Sequence, residues 1–218
     1  DYYASRGLGD VYKRQPVNYF VAGLADTIAK WYESDAILQQ EHLINEPFLQ
    51  LAGYTSELCK DAILNNSAKA IQDMQAGNAT EEFIHLSEIV FAVAGLVGGL
   101  GDKYARNAIA HAMHDGMSKY IPKSHDFLHG EKVAYGIFYQ LAVEKKWDQI
   151  DALLPFYQEL NLPMSLKQMK LFPADEAVID QIVTFVDSKE KVHLLPIPVT
   201  VDLLKESIFE LEKYINPK

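Results

Sequence analysis

The sequence predicts an all-α fold, a bundle of amphipathic helices joined by short loops. Three observations support this class. Apolar residues recur at the period of a helix with one buried face through most of residues 16–218. Glycine and proline mark the ends of several of these segments, as at Gly77 and Pro163. The chain also shows no repeat at the periods of solenoid proteins and no low-complexity tract.

The first two helices are predicted from periodicity and from their end residues. Residues 24–38 place Leu24 and Ile28 on one face at helical spacing. The second helix begins near Pro47, because proline suits the first helical turn, and it runs to Gly77, a residue type that commonly follows the last turn.

The middle of the chain is predicted to be buried and then to turn sharply. Thr80 is a predicted N-cap, followed by acidic residues that suit a first helical turn. Residues 89–97 are almost wholly apolar, so we expect them to be buried. We interpret the glycines of residues 95–103 as a helix-to-helix turn that leads into an alanine-rich helix from about Tyr104. Gly116 and the proline-containing stretch 116–124 are predicted to break that helix. The remaining predicted helices cover residues 128–146, 148–161, 174–188 and 200–215.

Charge and composition exclude several classes of protein. The net charge of −10 argues against a nucleic-acid groove and against binding to an anionic membrane, which both favour an excess of lysine and arginine. The sequence contains no run of eighteen apolar residues, so no membrane-spanning helix is expected. The one cysteine, Cys59, allows no intrachain disulfide, which fits a reducing cytoplasm.

Residues 1–15 differ in character from everything after them. DYYASRGLGDVYKRQ has no amphipathic period, and its GDVYKRQ portion looks like a translated sequencing adaptor. We therefore expect a non-native tail at 1–15 and a helical domain at 16–218. A genuine flexible N-terminal tail is the alternative.

Four of the seven histidines cluster in one stretch of the chain and suggest a metal site. His111 and His114 lie on the alanine-rich helix, whereas His125 and His129 precede and begin the next helix. Two imidazoles that point to one spot suit a divalent metal, and a catalytic site usually adds a third protein ligand. By composition, the carboxylates that can complete such a site are Asp26, Asp102, Asp115 and Asp126.

Two motifs in this stretch resemble a known family. HAMHDG, followed by HDFLHGEKVAYGIFYQL, is similar to the metal-binding stretch of the iron-containing alcohol dehydrogenases, in particular their glycerol dehydrogenase branch. GLADTIAKWYES, residues 23–34, resembles the segment of that branch that carries a metal-binding aspartate. VGGLGDKYARNAIAHAMH is more similar to the 2-hydroxycarboxylate dehydrogenases than to glycerol dehydrogenase itself. The resemblance extends from about Pro16 to the C-terminus.

The resemblance implies a ligand set of Asp26, His111 and His129. The two histidines are eighteen positions apart, as in the family pattern. One carboxylate oxygen and two imidazole nitrogens suit Zn²⁺ or Fe²⁺. Asp115 stands where the family often has asparagine, which affects hydrogen bonding beside the ligands rather than the ligand set.

The resemblance further implies an oxidoreductase that moves a hydride between NAD(P) and a small polyol, 2-hydroxy acid or 2-oxo acid, with the metal polarising the substrate oxygen. The family holds NAD(P) in an N-terminal α/β domain, and no such pattern precedes Pro16. We therefore expect a truncated dehydrogenase that is inactive alone, and a cytoplasmic homo-oligomer when full length. Its expected partner is a small-molecule substrate, with no nucleic acid and no membrane. A non-catalytic helical binding module and a dehydroquinate-synthase-like lyase are the alternatives.

Overall fold

The computed structural model describes residues 16–173 and 175–217, and the regular structure in these ranges is helical, with no strand. The all-α prediction is confirmed, while the predicted tail at 1–15 lies outside the described residues. The α-helices are α1 Val17–Leu38, α2 Pro47–Gln75, α3 Glu81–Glu88, α4 Ala94–Ala105, α5 Ile109–Tyr120, α6 His129–Val143, α7 Trp147–Glu159, α8 Glu176–Asp187 and α9 Val201–Ile215. Shorter segments are a π-helix at Ile89–Val93 and 3₁₀-helices at Pro122–Asp126 and Glu190–Leu194.

Helix α6 is the centre of the fold. Nearly all of its residues are buried, which explains why this segment is apolar on every side rather than on one face. The Phe138 ring stacks on Tyr157 of α7, with the ring centroids 4.1 Å apart. The hydroxyl of Tyr139 donates a hydrogen bond to the carbonyl oxygen of Leu204 in α9, so its one polar atom is satisfied within the core.

Three helices meet where the metal ligands are predicted. Helix α6 packs against both α1 and α5, and α1 also contacts α2 and α4. Asp26 lies in α1, His111 lies in the first turn of α5, and His129 is the first residue of α6. The topology therefore brings together residues that are far apart along the chain.

The predicted helix-to-helix turn at residues 95–103 is confirmed in part: the glycines are helical, but two helical segments meet at a kink at Asp102. The range given for α4 spans this kink, where Asp102 has φ 46° and ψ −132°. A Cβ atom on Gly101 would lie 2.2 Å from the Cβ of Ala105, just beyond the kink, and 3.0 Å from the Cβ of Ala52 in α2. The small residue therefore permits both the kink and the close packing against α2.

Gly116 does not break a helix, since α5 runs on to Tyr120. A Cβ atom there would lie 3.2 Å from a methyl group of Ile182 in α8. Glycine at this position lets α5 and α8 pack closely, whereas the sequence analysis assigned it to a break. Helix α5 ends at Tyr120, before Pro122, so the predicted break within residues 116–124 is confirmed but does not lie at Gly116.

The prediction that residues 89–97 are buried is wrong in part. Ile89, Ala94 and Val97 are buried, but Phe91 and Leu96 are 43% and 54% exposed. The π-helical turn at Ile89–Val93 adds a residue per turn and rotates the following side chains, so one apolar face points outward.

The helical run Glu81–Ala105 is long and apolar enough to cross a membrane by length and composition, with a mean hydropathy of 1.9 and a third of its most apolar window buried. Length and composition alone do not decide membrane insertion, so the expectation that no helix spans a membrane stays a prediction. The core helix of a soluble protein meets the same criterion.

Candidate metal centre

The three predicted ligands converge on one point. The Oδ1 atom of Asp26 lies 3.0 Å from Nε2 of His129 and 3.2 Å from Nε2 of His111. One donor atom from each of the three residues lies within 4.8 Å of the others. Such a meeting of side chains from α1, α5 and α6 is what a shared cation requires.

The donor set fits a divalent metal in both spacing and chemistry. Tetrahedral coordination at about 2.0–2.1 Å places neighbouring donor atoms about 3.3 Å apart, close to the separations from Asp26 Oδ1 to both rings. One carboxylate and two imidazoles are borderline ligands of the kind that Zn²⁺ and Fe²⁺ accept. The His129 side chain is 53% exposed, so the site is open to small molecules on that side.

The start of α6 is held by a local hydrogen bond that also fixes His129. The Glu131 carboxylate accepts a hydrogen bond of 2.7 Å from the backbone N–H of Leu128. A glutamate in the first turn that reaches back to the residue before the helix satisfies a donor that would otherwise lack a partner. His129 therefore begins the helix in a defined orientation.

Glu33 completes the site and was missed by the sequence analysis. Its Oε2 atom lies 2.5 Å from Nδ1 of His111, on the opposite side of the ring from Asp26. The Glu33 side chain is only 1% exposed. Its position seven residues after Asp26, two helical turns further along α1, was the available signal.

The carboxylates dominate the electrostatics of the centre. Burial raises the pKa of Asp26, but the hydrogen bonds to His111 and His129 outweigh it and hold that pKa well below its usual range. Burial likewise opposes ionisation of Glu33, while the His111 ring and two backbone N–H groups keep its pKa low. In turn, burial lowers the pKa of His111, but Glu33 and Asp26 raise it to about 10. Two carboxylates thus hold a positive charge at this point, as they would hold a cation.

His114 lies beside the ligands without joining them. Its ring meets the His129 ring edge-on, with the centroids 4.3 Å apart, and its Nδ1 lies 3.0 Å from a carboxylate oxygen of Asp115. Burial and the neighbouring His129 ring lower the pKa of His114 to about 4. The remaining candidates do not reach the centre: Asp102, Asp126 and His125 are exposed residues outside the ligand cluster.

Comparisons with known proteins give the same family as the motifs. No family model matches the chain. Hydroxycarboxylate dehydrogenase A of Escherichia coli is 34% identical over 200 residues, which are 91% of this chain and 55% of that protein. Glycerol dehydrogenase of Thermotoga maritima is 29% identical over 195 residues, 88% of this chain and 52% of the relative. The chain therefore spans about half the length of these relatives.

A solved structure shares the fold. The crystal structure of a probable glycerol dehydrogenase from Sinorhizobium meliloti superposes with a TM-score of 0.83 at 22% identity, and the match covers 94% of this chain and 58% of that one. The chain belongs with the hydroxycarboxylate and glycerol dehydrogenases of the iron-containing alcohol dehydrogenase family, and it matches the helical domain that forms their C-terminal part.

Proposed function

We propose that the protein provides the metal-binding half of an oxidoreductase that transfers a hydride between NAD(P) and a small polyol, 2-hydroxy acid or 2-oxo acid. The observation that carries the proposal is the convergence of Asp26, His111 and His129 on one point. The names of the relatives support dehydrogenase chemistry on a hydroxy acid, from hydroxycarboxylate dehydrogenase A, and on a polyol, from glycerol dehydrogenase. NAD(P) binding is expected of the half of those proteins that this chain does not span.

The residues of this chain have defined tasks in that reaction. Asp26, His111 and His129 would hold a divalent cation, whose Lewis acidity polarises the substrate oxygen and favours its alkoxide form. The exposure of His129 leaves one side of the ligand set accessible to substrate. His114, with a pKa near 4, is neutral at pH 7 and adds no positive charge that would oppose a cation. A cytoplasmic location and a homo-oligomeric full-length protein stay predictions.

Metal analysis of the purified 218-residue chain tests the proposal. We expect one equivalent of Zn²⁺ or Fe²⁺ per chain in the wild type and loss of that metal in His129→Ala. His125→Ala is the matched control, since it removes an exposed imidazole four residues away. Its metal content should equal that of the wild type. Absence of metal from all three proteins, each reconstituted with excess Zn²⁺ or Fe²⁺, would favour a non-catalytic helical module instead.

A further inference from the structure

We propose that Glu33 is a positioning residue of the metal centre, which holds the His111 ring in the orientation and tautomer that metal binding requires. This inference rests on the proposed function of the site. Glu33 and Asp26 lie on the same face of α1, two turns apart, and they contact opposite nitrogens of one imidazole. The ring is therefore fixed between two side chains of a single rigid helix.

The contact with Glu33 fixes the tautomer of His111. The Glu33 carboxylate can only accept at its 2.5 Å contact, so Nδ1 of His111 is the donor. In the neutral ring the proton then resides on Nδ1, which leaves the Nε2 lone pair directed to the side of Asp26. Histidine ligands in metal sites generally donate their second ring N–H to a carboxylate or carbonyl in this way.

Glu33 also holds the backbone that carries His111. Helix α5 begins after Ala108, which has no side chain able to cap it. The Oε1 atom of Glu33 accepts hydrogen bonds from the backbone N–H groups of Ala108 and His111, at 2.6 and 2.9 Å. One carboxylate thus fixes the ring with one oxygen and the backbone of the same residue with the other. A buried negative charge at this end of α5 is also favoured by the helix dipole.

The charge of Glu33 also suits a divalent cation at this site. A cation between Asp26, His111 and His129 would stand near two buried or half-buried carboxylates, those of Asp26 and Glu33. Their two negative charges match a divalent ion, while the histidine ligands bind as neutral rings. Glu33 therefore contributes to selection of a 2+ charge without touching the ion.

Gln140 of α6 separates positioning of the ring from capping of the helix. Its Oε1 atom accepts hydrogen bonds from the N–H groups of Ile109 and Ala110, at 3.0 and 3.2 Å. It caps the same end of α5 as Glu33 does. Its amide nitrogen donates hydrogen bonds to the carbonyl oxygen of Tyr32 and to the Glu144 carboxylate, not to the His111 ring. If Glu33 acted only as a helix cap, loss of Gln140 would have a comparable effect on metal binding.

Glu33→Gln and Gln140→Ala, each made in the full 218-residue chain, test this assignment. The glutamine oxygen at position 33 can still accept from the two backbone N–H groups, but the amide nitrogen cannot accept from Nδ1 of His111. We measure Zn²⁺ affinity by chelator competition, the visible absorption of bound Co²⁺, and thermal unfolding of the metal-free proteins. Glu33→Gln should bind Zn²⁺ about 10–100-fold more weakly and alter the Co²⁺ spectrum. Gln140→Ala should lower the unfolding temperature while keeping the wild-type spectrum.

The outcomes distinguish failure of the metal centre from failure of the positioning role of Glu33. Wild-type protein that binds no metal overturns the proposed function and this inference with it. Wild-type protein that binds metal, together with equal affinity in Glu33→Gln, overturns the positioning role and leaves the metal centre intact. An equal loss of affinity in Glu33→Gln and Gln140→Ala also overturns it, in favour of a purely structural cap. If Glu33→Gln does not fold, Glu33→Asp, which keeps the charge but shortens its reach, must show the weaker affinity and altered spectrum, and a wild-type result there overturns the inference.

Discussion

Gly130 of α6 lies directly against the backbone of Ala22 in α1, because a Cβ atom on Gly130 would fall 1.8 Å from the carbonyl oxygen of Ala22. Six residues along α6, a Cβ atom on Gly136 would fall 2.4 Å from the carbonyl oxygen of Ala110 in α5. The two glycines let α6 approach the two helices that carry the other ligands. The spacing of the metal centre therefore depends on positions where no side chain fits.

We expect Gly130→Ala to damage both stability and metal binding. The added methyl group would press on backbone rather than on a flexible side chain, so α1 and α6 must move apart. Overpacking of this kind lowers the free energy of unfolding by about 1–3 kcal/mol. Because His129 immediately precedes Gly130, its distance from Asp26 should increase and the Zn²⁺ affinity should fall. Urea unfolding and chelator competition measure the two effects.

Gly95→Ala provides the matched control for that substitution. Gly95 lies in α4, and a Cβ atom there would have no neighbour within 4 Å. Alanine is favoured over glycine inside a helix by about 0.8–1 kcal/mol, so this variant should be equally or more stable than the wild type. A loss of stability at position 95 as large as that at position 130 would contradict the steric explanation.

Local patterns in the sequence predicted those parts of the fold that depend on neighbouring residues. The N-terminus of α3 is capped as expected, since the Thr80 hydroxyl accepts a hydrogen bond from the N–H of Phe83. Helix α2 begins at Pro47, and Gly77 follows its end with a φ of 73°. These features follow from residues that are close along the chain. Gly116 of α5 was misinterpreted, because it permits close packing against α8, which no local pattern reveals. Gly101 of α4 adjoins the predicted bend and also packs against α2, a contact that only the fold shows.

In the candidate site too, the sequence predicted what local spacing shows and missed what depends on contacts between distant segments. Histidine spacing indicated His111 and His129, but four aspartates remained possible until the family resemblance selected Asp26. The geometry brings Asp26 together with both histidines. Glu33 was missed because its contacts span 75 and 78 positions of sequence, and a glutamate on a helix ordinarily faces solvent. Only the packing of α1 against the start of α5 gives it a buried role.

Zn²⁺ should stabilise the protein against unfolding, whereas Mg²⁺ should not. A ligand that binds only the folded state adds about 2.7 kcal/mol when its concentration is one hundred times its dissociation constant. Two imidazoles and one carboxylate suit Zn²⁺, while Mg²⁺ prefers oxygen ligands in octahedral geometry. Thermal unfolding of the chelator-treated protein, with each ion added back, measures the difference. Equal shifts with both ions would point to non-specific binding at acidic residues, and Asp26→Ala should abolish the Zn²⁺ shift.

Metal binding should release a proton from His111. Burial lowers the pKa of His111, but Glu33 and Asp26 outweigh it and raise that pKa to about 10, so the metal-free ring is protonated at pH 7. Because Zn²⁺ requires the neutral ring, its affinity should rise with pH, by about tenfold per unit between roughly pH 6.5 and 8.5 for this one proton. Calorimetry in buffers of different ionisation enthalpy counts the protons released. A level affinity over this interval would contradict the assignment, and Glu33→Gln should give a shallower slope because it removes one of the two carboxylates.

The 218-residue chain should bind metal without oxidising NADH or NADPH. The described residues contain the three predicted ligands, but nearly half of each relative lies outside the match, and we expect the dinucleotide site in that part. Absorbance at the nicotinamide band measures turnover of the Zn²⁺- and Fe²⁺-loaded chain in both directions, with NADH or NADPH and a 2-oxo acid, and with NAD⁺ or NADP⁺ and a polyol. The Escherichia coli relative, assayed in parallel, shows whether the assay detects this chemistry. Turnover by the chain alone that disappears in His129→Ala would support the metal centre. It would contradict the assignment of the dinucleotide site to the unmatched part of the relatives, because the dinucleotide would then have to bind on the helical domain itself.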